Sequence, residues 1–185
     1  WFEPLFAELD RRRLPHARVR ADHLCYDPAA SDMPAPYTLV FNRMSPSAYL
    51  RGHAHAIFSA RHYLAHLERL GVPMINGSAA YNLELSKARQ LDLLALLNLP
   101  APATRVVNAS AQVESAASEL EFPIIVKPNV GGSGALMQRF DAPDELRAAI
   151  DSGALEDLFA LDGTALVQEY HAPVGGAIVR VEVLD

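Results

Sequence analysis

The 185-residue chain has little of several things, and each shortage excludes a class of protein. It has one cysteine, Cys25, so no internal disulfide can form, and a reducing, cytoplasmic setting is expected. No apolar run approaches the ~20 residues that a membrane span requires. The first residues, Trp1, Phe2, Glu3 and Pro4, lack the basic start and apolar stretch of a signal peptide. Basic residues are outnumbered, 16 Lys+Arg against 22 Asp+Glu, for a net charge of -6. A general nucleic-acid binder needs a basic face, so none is expected as a partner. Half of the residues are hydrophobic, enough for a packed core.

Lysine is the scarcest charge. Of the 16 basic residues only Lys87 and Lys127 are lysines. On a solvated surface lysine and arginine are near-equivalent, but a site that wants a compact point charge on a flexible stem prefers lysine. The surroundings of these two positions therefore carry weight.

The apolar patterning alternates strand and helix in the first part. Residues 2–13 read as an amphipathic helix and 16–24 as a weak strand. Residues 28–36 read as a loop, and 37–41 as a short buried parallel strand that delivers Asn42 and Arg43 at its end. A helix is predicted over 49–70, closed by Gly71, and a strand over 72–75. The second part has an α+β pattern. Two helices are expected within 78–99 and a strand at 104–107. A helix follows over 110–120 with Ser110 as N-cap, then a buried strand over 123–128. A strand at 136–140, a helix at 143–150, and strands at 165–170 and 177–184 complete the pattern. The whole predicts an α/β fold in two domains, 1–80 and 81–185, and the chain reads as a piece of a longer polypeptide.

The strongest local signal is Ile124-Ile125-Val126-Lys127-Pro128, a buried strand that turns into Gly131-Gly132-Ser133-Gly134. Glycines let backbone N–H groups approach anionic oxygens, and a lysine aimed at the same point suits a polyphosphate. A tight hairpin with an incidental lysine fits this stretch too. The pattern is neither a P-loop nor Gly-x-Gly-x-x-Gly, so a dinucleotide fold has little support. Lys87 begins a helix in Ser86-Lys87-Ala88-Arg89. Gln168, Glu169, Tyr170 and His171 end a strand, where backbone groups can meet the edge of a base. His62 and His66 are spaced i, i+4, but no third ligand completes a zinc site. Arg43 or Arg51 can serve a substrate carboxylate or a structural ion pair.

In this order and spacing, a lysine at a helix start, a lysine before a glycine loop and an apolar strand ending Gln-Glu-Tyr resemble the ATP-grasp superfamily. Asn42-Arg43, Gly71-Val72-Pro73 before Asn76, and Arg180 after Gln168 are most similar to the RimK-like α-L-glutamate ligases. The resemblance runs from about Tyr37 to the end. It implies a Rossmann-like pre-ATP-grasp domain followed by a partial ATP-grasp domain. It implies ATP and Mg²⁺ as cofactors, carboxylate and amine substrates as partners, and self-association into a homo-oligomer. It implies that Lys87 and Lys127 hold phosphates, and that Gly131, Gly132, Ser133 and Gly134 cover them. It further implies that Gln168, Glu169, Tyr170 and His171 hold adenine, and that Arg180 is catalytic. Two features depart from the family pattern. Ile178 stands where an acid usually holds ribose, so either Glu182 or a residue beyond the chain takes that role, or ribose is held more loosely. The Mg²⁺ ligands, an acid and a Glu-x-Asn pair, would lie beyond Asp185, so the isolated chain is expected to be inactive.

Overall fold

The computed structural model describes residues 2–30, 36–177, 179 and 181. Its elements in chain order are α1 (Glu3–Arg11), β1 (Val40–Phe41), α2 (Ala54–Arg69), β2 (Met74–Ile75), α3 (Ser78–Glu84) and α4 (Lys87–Leu96). They continue with β3 (Thr104–Val107), α5 (Val113–Ala117), β4 (Ile124–Pro128), β5 (Gln138–Phe140), α6 (Pro143–Asp151) and β6 (Ala165–Glu169).

β1 and β2 pair in parallel, Val40 with Met74 and Phe41 with Ile75, as an α/β layer requires. The burial expected of β1 is not met. Side chains alternate across a strand, so Val40 and Met74 pack on the core while Phe41 and Ile75 stay 42% and 47% exposed. Beyond the strands, Asn42 Nδ2 donates to Asn76 O at 3.0 Å and Asn76 Nδ2 donates to Asn42 O at 3.4 Å. Residues 16–24 form no strand: they are irregular apart from one 3₁₀ turn at Ala21–His23, flanked by extended Arg20 and Leu24, with Arg20 paired to Asp22 at 2.7 Å.

The helix predicted over 49–70 is divided. A 3₁₀ segment, Pro46–Arg51, ends at Gly52 in the left-handed region (φ 78°), and α2 starts after it. α2 then buries Ala56, Ile57, Ala60, Leu64 and Leu67, one face of a 3.6-residue period. Its end is as expected: Gly71 (φ 77°) donates its N–H to Glu68 O. Tyr81 of α3 is fully buried against this helix and donates its hydroxyl to Ile57 O at 3.1 Å.

The second sheet has four antiparallel strands in the order β3-β6-β4-β5. One face is apolar. Ile124 and Val126 of β4, Ala165 and Val167 of β6, Val107 of β3 and Phe140 of β5 pack with Val113, Ala117, Leu146, Leu155 and Leu158. Helices α5 and α6 cover that face. Only Val113–Ala117 of the helix predicted over 110–120 is α-helical, and Ser110 does not cap it; its hydroxyl is turned to Glu156. β5 starts at Gln138 because Leu136 has φ 61°, outside strand geometry. The strand predicted over 177–184 lies largely outside the described residues.

Candidate functional site

The opposite face of the four-stranded sheet carries the polar chemistry. Alternation along β4 buries Ile124 and Val126 under the helices and turns Ile125 and Lys127 the other way. The same rule puts Leu166 and Gln168 of β6 on the Lys127 face. Lys127 pairs with Leu166 and Ile125 with Gln168, so Lys127 and Gln168 are diagonal neighbours. Lys127 Nζ donates to Gln168 Oε1 at 2.6 Å, and Gln168 Nε2 donates to Thr104 Oγ1 at 2.7 Å. A row Thr104–Gln168–Lys127 thus crosses three strands. Gln168 is only 6% exposed, so its amide belongs to this row.

Lys87 reaches the end of the same strand from α4. Ser86 caps that helix, its side chain accepting from Arg89 N–H. Lys87 Nζ donates to Pro128 O and Asn129 O, both at 3.0 Å, and to Gly131 O at 3.3 Å. An ammonium has three N–H donors, and each finds a main-chain carbonyl at the strand-to-loop junction. Burial pushes Lys87 down to about 8; the charge of Lys127 adds to this and that of Asp162 opposes it. Burial also lowers Lys127. The structure therefore ties both lysines to the end of β4, Lys127 on the sheet face beside Gln168 and Lys87 turned upon the backbone of the strand-to-loop junction.

The glycine loop is a run of left-handed residues: Gly131 (φ 150°), Ser133 (φ 59°), Gly134 (φ 69°) and Leu136 (φ 61°). The N–H groups of Gly131, Gly132, Ser133 and Gly134 bond to no described residue. A Cβ on Gly131 would lie 3.3 Å from the hydroxyl of Tyr49, so the loop rests on the 3₁₀ segment of the first part. Gly132 faces Ser47 at an ordinary 3.6 Å.

The segment at the end of β6 is firmly tied. Glu169 N–H donates to Ala103 O at 3.0 Å and Tyr170 N–H to Pro123 O at 2.8 Å. The Glu169 carboxylate accepts from Glu121 N–H at 3.0 Å and lies 3.7 Å from His171 Nε2. The Arg139 guanidinium sits 4.4 Å over the Tyr170 ring. Of the four residues only His171 is exposed, and its backbone N–H bonds to no described residue. Arg180, Ile178 and Glu182 lie outside the described residues. An open groove of about 390 Å³ between α4 and β3 adjoins Thr104 but is lined by neither lysine.

Sequence reasoning missed Asn129, Asp162 and Tyr49. Asn129 carried a signal, a polar residue between a buried strand and a loop; Asp162 and Tyr49 carried none. The remaining candidates are scattered. Arg43 lies over the rings of Phe2 (5.0 Å) and Phe41 (5.3 Å), and Arg51 is 3.5 Å from Ser47 Oγ. His66 packs tilted against Tyr26 with ring centroids 4.4 Å apart, and His53 faces Asp22 at 3.5 Å. Among the described residues, no group of three His, Cys, Asp or Glu side chains could hold a metal ion. Nor is any described helix long and apolar enough to cross a membrane.

No family model matches the chain. Over 121 residues it is 35% identical to a D-alanine–D-alanine ligase of Ectopseudomonas mendocina, covering 64% of this chain and 37% of that protein. It is 36% identical over 86 residues to a ligase of the same name from Hydrogenovibrio crunogenus, covering 46% of this chain and 28% of the relative. The chain thus spans little more than a third of the first of these relatives. Among solved structures, a RimK domain protein ATP-grasp from Sphaerobacter thermophilus superposes with a TM-score of 0.64 at 22% identity, covering 91% of this chain and 59% of that one. The VanG D-Ala:D-Ser ligase of Enterococcus faecalis gives a TM-score of 0.54 at 23% identity, covering 72% and 36%.

Proposed function

We propose that this chain, which has the ATP-grasp fold, forms the front of the nucleotide site in an ATP- and Mg²⁺-dependent carbon–nitrogen ligase. The observation that carries the reading is the junction at the end of β4. Two ammonium charges flank it, Lys87 resting on its carbonyls and Lys127 on Gln168, and four loop N–H groups have no partner among the described residues; positive charge and unpartnered donors together suit the phosphates of ATP, toward which the lysines would turn when it binds. Residues 1–80 would be the pre-ATP-grasp domain and 81–185 the front of the ATP-grasp domain. Adenine would lie at residues 168–171, where the His171 N–H has no partner among the described residues.

The relatives' names favour a reaction that joins a carboxylate to an amine, and the RimK-like reading is kept for the substrate class. The carboxylate oxygen attacks the γ-phosphorus and ADP leaves; the amine then attacks the acyl carbon and phosphate leaves. Lys127 and Lys87 would hold the phosphates through this transfer, and the loop would exclude water. No step is assigned to Mg²⁺, since the described residues lack a ligand set for it. The setting would be the cytoplasm.

The second reading, a nucleotide-binding module without catalysis, is favoured by Ile178, which stands where the family usually has an acid. Calorimetric ATP titration of the intact protein, followed by ADP release with D-alanine or glutamate as substrate, separates them. ATP binding with substrate-dependent ADP release supports the ligase. Binding without turnover supports the second reading, and absence of binding refutes both.

A further inference from the structure

Between the two lysines the structure holds a polar hub with no assigned role. Asn129 is only 6% exposed, yet its groups are nearly all engaged. Its Oδ1 accepts from Ser86 Oγ at 3.1 Å and from Ala88 N–H at 3.0 Å. Its Nδ2 donates to Asp162 Oδ2 at 2.6 Å. Its main-chain N–H donates to Thr164 O, and its main-chain carbonyl accepts from both Lys87 N–H and Lys87 Nζ. One residue thus grips Ser86, Lys87 and Ala88 in turn.

The chemistry requires an amide. The side chain must accept from Ser86 and a backbone N–H on one side and donate to a carboxylate on the other, and an amide does both from two separate atoms. A backbone N–H can only donate, so the orientation of the amide is fixed by its surroundings. Asp162 is exposed and outside the core, and its other oxygen accepts from Thr164 N–H at 3.2 Å.

We propose that Asn129, oriented by Asp162, is a positioning residue for Lys87, setting where the ammonium stands relative to the glycine loop. This rests on the reading of Lys87 as a phosphate ligand. Electrostatics alone predicts the opposite effect at Asp162, because a carboxylate near an anion site repels the anion.

Asp162→Asn and Asp162→Ala remove the same charge. The single amide oxygen introduced by D162N can still accept from Asn129 Nδ2, at the expense of the bond from Thr164 N–H, whereas the methyl group left by D162A accepts from neither. In the intact protein, D162A should bind ATP about fivefold more weakly than D162N, the loss of one oriented hydrogen bond. The difference should vanish in a Lys87→Met background, a result that general destabilisation would not give. In ATP-free protein, the Ala88 amide should exchange faster with deuterium in D162A and at the wild-type rate in D162N. Equal ATP affinity of D162N and D162A overturns the proposal, as does an affinity gap that persists in K87M. If even the wild type fails to bind ATP, the nucleotide reading falls, and Ala88 exchange alone decides the role of the pair: a D162A-specific increase supports it, and identical exchange overturns it.

Discussion

Lys127 and Gln168 stand diagonally across β4 and β6, with the ammonium 2.6 Å from the amide oxygen. The same amide reaches Thr104, so Gln168 neutralises nothing but orients the lysine.

Gln168→Glu and Gln168→Leu should therefore fail in different ways. The carboxylate of Q168E keeps an acceptor for Lys127, and the fold should stay near wild-type stability in denaturant titration. Its negative charge would compensate Lys127, and ATP affinity should fall about tenfold or more. The apolar side chain of Q168L leaves buried polar partners unmatched and should cost about 1–3 kcal/mol of stability. An ATP affinity for Q168E equal to wild type would remove Lys127 from the site.

The loop glycines are not equivalent. Gly131→Ala combines an unfavourable φ of 150° with a Cβ 3.3 Å from Tyr49 Oη, and should cost about 1–3 kcal/mol. Gly132→Ala meets only ordinary contact and should cost less than about 1 kcal/mol. The Tyr49 hydroxyl is buried without a partner among the described residues, so Tyr49→Phe should be neutral or stabilising. Thermal melts of the three variants check the order; a Gly132→Ala loss as large as that of Gly131→Ala would contradict it.

Lys87 gives a signed dependence on pH. Its native value is about 8 against an ordinary 10.5. Between these values the unfolded chain holds a proton that the native protein has released, so this group makes stability fall as the solution is acidified across the window and rise with pH. Below about 8 both states are protonated and the contribution is flat. Phosphate favours the ammonium, so ATP binding above about pH 8 should take up a proton. Calorimetry in two buffers of different ionisation enthalpy measures that uptake, and K87M should lack it. Identical uptake in K87M and wild type would assign the proton elsewhere.

Ser86→Ala removes both the cap of α4 and a bond to Asn129. A loss of about 1–2 kcal/mol in denaturant unfolding is expected. No measurable loss would mean that α4 is held by Leu85 and its apolar neighbours alone.

Much of this is legible in the sequence, and the exceptions have physical reasons. β3, β4 and β6 fall within two residues of expectation because their apolar runs are interrupted by proline or glycine. The joint role proposed for Lys87 and Lys127 can be suspected from their scarcity and from the motif around each. What Lys87 touches cannot, because the carbonyls of Pro128, Asn129 and Gly131 have no sequence signature and arrive from 41 to 44 positions away. Residues 16–24 mislead because weak alternation in a polar stretch has no partner strand to complete it. Gly52 is easily read through because a single glycine inside a helical pattern is often tolerated.

The strand order has a bearing on synthesis at the ribosome. β6 is the last described strand of the second sheet in the chain, yet it sits in the middle, between β3 and β4. A nascent polypeptide that has emerged as far as Phe140 can close only the β4–β5 hairpin, leaving β3 unpaired until Ala165–Glu169 appears. At about 5–20 residues per second, that wait lasts on the order of seconds. Throughout it, the inward apolar side chains of three strands depend on hairpin, helices and chaperones for cover.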